Sequence, residues 1–168
     1  VSPVIADYLK DINNKDKQQK AQKYTESYYK GLDNWEGLYA GEWNTHVVTH
    51  SDPKIVGMTT RKGDELKQLQ DAMTSANGLY DAGIIISPAS QKLTLSMYCP
   101  VFDTDGTSIL GYVGGGPFCE KLESLLQEIE KTDKTNTEYS MINVTSGMYI
   151  FNKDKSLITK AVENAGIQ

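Results

Sequence analysis

The chain has 168 residues, 39% of them apolar and 23% charged, with a formal net charge of -5. That suffices for one packed domain, or one domain with part of another, and excludes a disordered chain. Lysines and arginines are dispersed under the negative balance, which excludes a nucleic-acid partner, and no window approaches the roughly 20 apolar residues that span a bilayer. The chain begins at Val1 without Met, as expected of a piece excised from a longer protein.

Val4 to Ile12 and Lys17 to Leu32 read as helices broken near Asn13-Asn14, where the side-chain amides compete with the helical backbone. Tyr24, Tyr28 and Leu32 recur at four-residue spacing and predict an apolar stripe. Gly37 to Trp43 and His46 to His50 form a hairpin turning at Asn44-Thr45, and Pro53 ends the second strand. Asp64 is placed to cap a helix over Glu65 to Asn77, with Leu66, Leu69 and Met73 inward and Gly78 as the stop.

The β-branched run Gly83 to Ile86 predicts a buried strand, followed by a turn at Ser87-Pro88-Ala89-Ser90. Leu93 to Phe102 alternates. Leu93, Leu95, Met97, Cys99 and Val101 share a face expected to pack on the N-terminal helices; Thr94, Ser96 and Tyr98 share the other. Asp103 to Gly106 turns the chain into a strand over Ile109 to Gly115, with Cys99 expected beside Tyr112. On that arithmetic Cys119 lies too far from Cys99 for a disulfide, so both thiols are expected free. Phe118, Leu122, Leu125, Leu126 and Ile129 predict an amphipathic helix over Cys119 to Lys131. A polar linker, Asp133 to Asn136, leads to a second hairpin, Tyr139 to Val144 and Met148 to Phe151 around Thr145-Ser146-Gly147, and a tail that reads as helical from Ser156. The order strand, glycine-containing turn, strand, polar stop occurs at Leu38 to Asp52 and again at Tyr139 to Lys155, which hints at a repeated module.

Little in this pattern suggests catalysis. His46 and His50 sit four apart on one strand but lack further ligands at metal spacing. Asp103-Thr104-Asp105-Gly106 carries its glycine too early for a calcium loop. Gly114-Gly115-Gly116 is followed by Pro117, so it is not a phosphate loop; it marks close approach to the sheet by another backbone or a small molecule. No cofactor and no metal are expected. Ten Tyr against three Phe is the distinctive ratio, since a phenol offers an apolar wall with a hydrogen-bonding tip. Tyr98 and Tyr112 should stand together, with Thr94 and Ser96 on the face of Tyr98.

Leu38 to Gly57, Ile86 to Ser90, and Tyr98 to Gly106 with Ile109 to Gly114 together resemble the Cache family, the PAS-like extracytoplasmic sensors of bacterial chemotaxis receptors and histidine kinases. The carrying motifs are His50-Ser51-Asp52-Pro53 with Val56-Gly57, the Ser87-Pro88 turn, and the hairpin Pro100-Val101-Phe102-Asp103-Thr104-Asp105-Gly106. The resemblance is closest to double-Cache chemoreceptors of clostridial type. It implies an α+β fold: a PAS-like antiparallel sheet with long N-terminal helices on one face and a ligand pocket on the other. It implies a membrane-distal sensor over 1–132, and over 133–168 either the start of a second, membrane-proximal module or an extension of the first. It further implies a fragment of a membrane-anchored receptor, outside the cytoplasm, binding a small metabolite, homodimeric in the full-length protein and not an enzyme. The expected site is Trp43, Arg61, Tyr80, Tyr98 and Tyr112, with His46 and Ser96 at its polar edge. Arg61 stands in for the arginine of amino-acid-binding members. Gly116 falls where they carry an aspartate, and no Trp-Tyr pair follows the pocket helix; carboxylates, amines and purines therefore remain open. The rival readings are a histidine-kinase sensor, a hydrolase using His46, and an interaction module.

Overall fold

A computed structural model describes residues 2–76, 78–87, 90–132, 139–144, 147–158 and 160–162, apart from the side chains of residues 122 and 123. The expectations for Asn77, Pro88-Ala89, the side chain of Leu122, the linker at 133–136, Thr145-Ser146 and the tail beyond 162 fall outside the described residues. In chain order the elements are α1 (Pro3–Leu9), α2 (Lys15–Tyr29), β1 (Trp35–Glu42), β2 (Val47–His50), α3 (Gly63–Ala76), β3 (Tyr80–Ile86), β4 (Leu93–Phe102), β5 (Ile109–Pro117), α4 (Glu120–Thr132), β6 (Met141–Asn143) and β7 (Met148–Phe151). Strands β1 to β5 form one sheet in the order β2-β1-β5-β4-β3, and β6 and β7 a separate pair. The fold is α+β and PAS-like, as expected. By contacts the chain divides into two compact units, Val1–Ala82 with Ser96–Pro117, and Gly83–Leu95 with Phe118–Gln168.

In the first unit the helices are shorter than expected: α1 has 7 residues and α2 has 15. The break between them is a cap, since the Asn14 side chain accepts from the backbone N–H of Asp16 and Lys17. The tyrosine stripe does not face the sheet. Ala21 and Thr25 do, while Tyr24 and Tyr28 are exposed. Helix and sheet approach too closely for a ring: the Thr25 hydroxyl donates to the Ala21 carbonyl and lies 2.9 Å from the hydroxyl of Thr49 on β2. Ile5, Tyr8, Leu9, Ala21, Ala40, Val48 and Val101 form the core on this side. Helix α3 begins at Gly63, so Asp64 sits in its first turn rather than capping it, and Leu69 and Met73 are buried as expected.

Strand β4 corrects the burial expected for its two faces. Of the apolar set only Val101 is buried; Leu93, Leu95, Met97 and Cys99 are half-buried. The polar face is the more enclosed, with Thr94, Ser96, Tyr98 and Pro100 buried. Alternation identifies two faces but not which one the fold covers. The β4–β5 register is shifted by one from the expectation: Cys99 opposes Val113, and Tyr112 opposes Pro100. The β4–β5 turn uses its own carboxylates. Asp105 accepts from the backbone of Thr107 and Ser108, Asp103 pairs with Lys10, and Gly106 supplies a φ of 71°.

In the second unit, the segment Gly83 to Ile86 lies on edge strand β3 and is not buried; Ile86 is exposed. Helix α4 forms, but Leu125 and Ile129 are exposed, so the expected stripe is not a core face among the described residues. Over its described residues, 156–158 and 160–162, the tail is not α-helical. It makes a short 3₁₀ turn at Lys155–Leu157 and a bridge from Ala161 to Met148. Both cysteines are free.

The turn and bridge that follow β2 recur after β7. After β2, Asp52 caps a 3₁₀ turn at Pro53–Ile55, His46 bridges Thr59, Val47 N–H donates to Met58, and Thr60 N–H donates to Thr45. After β7, at one constant offset in numbering, Asp154 caps the turn at Lys155–Leu157, Met148 bridges Ala161, Tyr149 N–H donates to Lys160, and Val162 N–H donates to Gly147. Thr45 and Gly147 share a left-handed conformation, with φ of 65° and 66°. Both hairpins are irregular opposite corresponding residues, Thr49 and Val47 or Phe151 and Tyr149, but Ala40/Gly41 and Met141/Ile142 are one short of that offset, so the second hairpin's loop is one residue longer.

Candidate functional site

The site lies in the first unit, on the sheet face away from α1 and α2. It is built by residues that stand opposite one another. Tyr39 on β1 and Tyr98 on β4 both oppose Gly114 of β5, and Tyr112 on β5 opposes Gly41 of β1. Directly opposed residues point to one face, so the three rings share it. The glycines are what let the rings lie down. A Cβ on Gly41 would stand 2.6 Å from the Tyr112 ring, and one on Gly114 would stand 2.7 Å from the Tyr39 ring. The close approach expected along Gly114-Gly115-Gly116 is made at Gly114 by the Tyr39 ring and at Gly115 by backbone, since a Cβ there would stand 2.6 Å from the Gly37 carbonyl oxygen. Tyr39 also stacks on His50, with ring centroids 5.4 Å apart.

Leu69 and Met73 of α3, with Tyr98 and Tyr112, form the buried heart of this face, and Tyr39, Trp43, Tyr80 and Ala82 pack around it. Tyr98 and Tyr112 stand 6.1 Å apart between ring centroids, and Tyr80 and Tyr98 6.3 Å. Trp43 is anchored by Gln70 of α3, whose amide donates to the Trp43 carbonyl at 2.8 Å.

Arg61 reaches the cluster because Thr45 fixes its backbone. The buried Thr45 hydroxyl accepts from Arg61 N–H at 3.0 Å and donates to the Arg61 carbonyl at 3.1 Å. From there the guanidinium donates to the Tyr98 hydroxyl at 3.2 Å. Ser96 donates to the same phenol oxygen at 3.0 Å, and the Tyr39 hydroxyl lies near enough to influence it. Burial opposes ionisation of Tyr98, but these donors outweigh it and the phenol is more acidic than usual. Burial holds Tyr39 well above the ordinary phenol range. Burial also pushes Tyr112 up to about 12. Thr60 lies near enough to Tyr112 to moderate that shift but not in hydrogen-bond geometry, and the Tyr112 hydroxyl is buried with no partner.

Of the residues expected at the site, Trp43, Tyr80, Tyr98 and Tyr112 belong to one cluster, with Arg61 and Ser96 bonded to it through Tyr98. His46 stands apart. Its backbone N–H donates to Asn44, and its imidazole is 3.4 Å from the Thr59 hydroxyl. Tyr39, Thr45, Gln70 and the seats at Gly41 and Gly114 were not anticipated. The alternation Gly37, Tyr39, Gly41 was the available signal, because it puts one ring between two vacant positions on one face. Two surface clefts of about 400 and 460 Å³ open elsewhere in this unit. The first is lined by α2 side chains with Val48, Pro53 and Val56, the second by Ile5, Tyr24, Tyr28, Trp35 and Leu38 among others. The first gathers Gln18, Gln19, Gln22, Lys23 and Glu26 of α2, and Tyr39 also lines the second. Among the described residues no three His, Cys, Asp or Glu side chains could hold a metal ion.

No family model matches the chain, and no curated protein matches it. Solved structures do. The sensor domain of the Vibrio cholerae histidine kinase DctB matches with a TM-score of 0.67 at 13% identity, over 97% of this chain and 58% of that one. The ligand-binding domain of Mlp24, solved with asparagine, matches with a TM-score of 0.60 at 17% identity, over 94% and 61%. The ligand-binding domain of the Pseudomonas aeruginosa amino-acid chemoreceptor PctC, in complex with GABA, matches with a TM-score of 0.52 at 16% identity, over 94% and 74%. The chain spans a quarter of the first structure matched, an extracellular ligand-binding receptor from Desulfohalobium retbaense, and about three fifths of the DctB domain. The fold is thus shared with extracellular sensor domains.

Proposed function

We propose that this chain is the small-molecule-sensing part of a membrane-anchored bacterial receptor of the Cache type, lying outside the cytoplasm. One observation carries the reading: the polar groups Arg61, Ser96, Tyr98 and Tyr112 converge on a face walled by Trp43 and Tyr80. Known pockets of this kind combine apolar walls with a few placed polar groups. The fold shared with chemoreceptor and histidine-kinase sensors supports the same reading, with chemotaxis as the output and kinase control as the alternative.

The domain division belongs to the proposal. Residues 1–132 form the sensing module, and 133–168 begin a second, membrane-proximal one, supported by the repeated turn and bridge pattern. The full-length receptor is a homodimer; the exposed rings of Tyr24 and Tyr28, 6.1 Å apart on α2, support pairing along that helix. Ligand binding would bias two arrangements of the helices against the sheet.

A metabolite screen by thermal shift tests the sensing role. A ligand at 100 times its dissociation constant should stabilise the chain by about 2.7 kcal/mol. The shift should be lost in Tyr98→Phe with Arg61→Gln. A ligand that still binds the double variant with full affinity places the site elsewhere.

A further inference from the structure

His50 stands where the tyrosine cluster, a turn and α2 meet. Its backbone is clipped to α2: the Gln22 side-chain amide donates to the His50 carbonyl at 2.8 Å and accepts the His50 N–H at 3.1 Å. The same amide donates to Glu26 at 2.7 Å. The imidazole stacks on Tyr39, which packs against the cluster. Its Nδ1 accepts the Asp52 N–H at 2.8 Å, at the entry to the 3₁₀ turn that Asp52 caps.

That last bond fixes the protonation state. A ring nitrogen that accepts carries no proton, so the imidazole is neutral with its hydrogen on Nε2. A proton added at Nδ1 would set two N–H groups against each other and break the bond. The matching turn of the second hairpin shows that an imidazole is not required there: Asn152 accepts from the Asp154 N–H at 2.8 Å. An amide oxygen accepts at any pH, an imidazole nitrogen only while neutral. The chain thus places the titratable acceptor at the turn whose ring also touches the tyrosine cluster.

The surroundings hold a partner for the charged ring. Among the described residues, the titratable groups that touch it or act on it are Tyr39 and Glu36 of β1 and Asp52 of the turn; α2 contributes Glu26, through Gln22. Glu36 has one carboxylate oxygen buried without a hydrogen-bond partner. Burial lowers the His50 pKa below its ordinary value, and the Asp52 and Glu36 charges pull it up less strongly. The folded chain therefore resists this proton. The stability His50 contributes is complete above about pH 6.5 and falls as the pH drops from there to the folded pKa.

We propose that His50 is a proton switch for the sensing module: protonation releases the Asp52 N–H, draws the imidazolium toward the Glu36 carboxylate, and so loosens both the Tyr39 wall and the Gln22 clip on α2. A local charge change then biases a two-state element. The switch deepens the sensing reading by adding a regulator to that site, and it is readable without a ligand.

The test is an NMR titration of the whole chain from about pH 8 to about pH 5. His46 and His50 are its two histidines, so the ring signals are simple to assign. At the alkaline end the His50 ring should carry its proton on Nε2. On acidification the Asp52 backbone amide and the Gln22 side-chain amide should move with the His50 ring at one midpoint, below the ordinary histidine value. The Asp154 amide, held by Asn152, should stay still. His50→Asn should keep the fold and hold the Asp52 and Gln22 amides still throughout. Glu36→Gln, which leaves the turn intact, should lower the midpoint. A ligand from the metabolite screen should lose about tenfold in affinity across the range in the unmutated chain but not in His50→Asn.

Asp52 and Gln22 amides that stay still while His50 titrates overturn the proposal. So does movement that persists in His50→Asn, an unchanged midpoint in Glu36→Gln, or a ligand equally pH-dependent with and without His50. If the screen finds no ligand, the sensing reading fails while the amide titration still decides the switch.

Discussion

The hairpins β1–β2 and β6–β7 run into matching turns and bridges that carry different chemistry. Each turns on a left-handed residue, Thr45 or Gly147, and each runs into a 3₁₀ turn capped by an aspartate. In the first, the residue two before that aspartate is His50, whose Nδ1 accepts from Asp52 N–H while its ring stacks on Tyr39. In the second, Asn152 plays the backbone role, accepting from Asp154 N–H, and its amide bonds across to Ser140. The scaffold needs only an acceptor there. The ring pair is an addition, and it lays the floor on which Tyr98 and Tyr112 rest. Turn chemistry is therefore separable from site chemistry in this module, and having the first does not entail the second.

Glycine substitutions should break that comparison most sharply. Gly41→Ala forces a Cβ against the buried Tyr112 ring and should cost about 3 kcal/mol in urea unfolding, at the upper end for overpacking. Gly147→Ala meets nothing within 4 Å, so only its positive φ resists, and the cost should be about 1 kcal/mol. Equal losses would mean that the first hairpin's glycine serves the turn rather than the ring.

Alkaline titration should show the next largest effect, and only in the first unit. Tyr112 is protonated up to about 12 in the folded chain, against an unfolded value near 10. Between these values the folded state holds the extra proton, so stability is intact below pH ~10 and falls by about 2.7 kcal/mol by pH ~12. Tyr39 acts in the same direction and Tyr98, more acidic than usual, in the opposite one. Tyr112→Phe should flatten the fall; an unchanged slope would show that the hydroxyl is solvated.

The smallest effect should be the most symmetrical. Asp52→Ala and Asp154→Ala each remove one cap from matching turns, and each should cost about 1 kcal/mol. A large difference between them would count against a shared module.

Much of this molecule was legible in the sequence. The breaks at Asn14, Pro53, Gly78 and Gly106 and the alternation of β4 placed nearly every element, because caps, turn residues and pleat periodicity act over a few residues. Tyr98 and Tyr112 do share a face as expected, although the hairpin arithmetic that set Tyr112 beside Cys99 was one residue off. Local logic failed where distance along the chain is large. Alternation could not say that the polar face of β4 is the enclosed one. Four-residue spacing could not say that α2 approaches the sheet on Ala21 and Thr25 rather than on its tyrosines. The path of Arg61 depends on the Thr45 hydroxyl, sixteen positions earlier, clamping its backbone. Sequence by itself determined the elements, the turns and the repeated hairpin, since these are short-range backbone preferences. Only the tertiary structure decided which face is buried, which glycine seats which ring, and which donors meet at Tyr98, since each requires segments far apart in the chain to come within bonding distance.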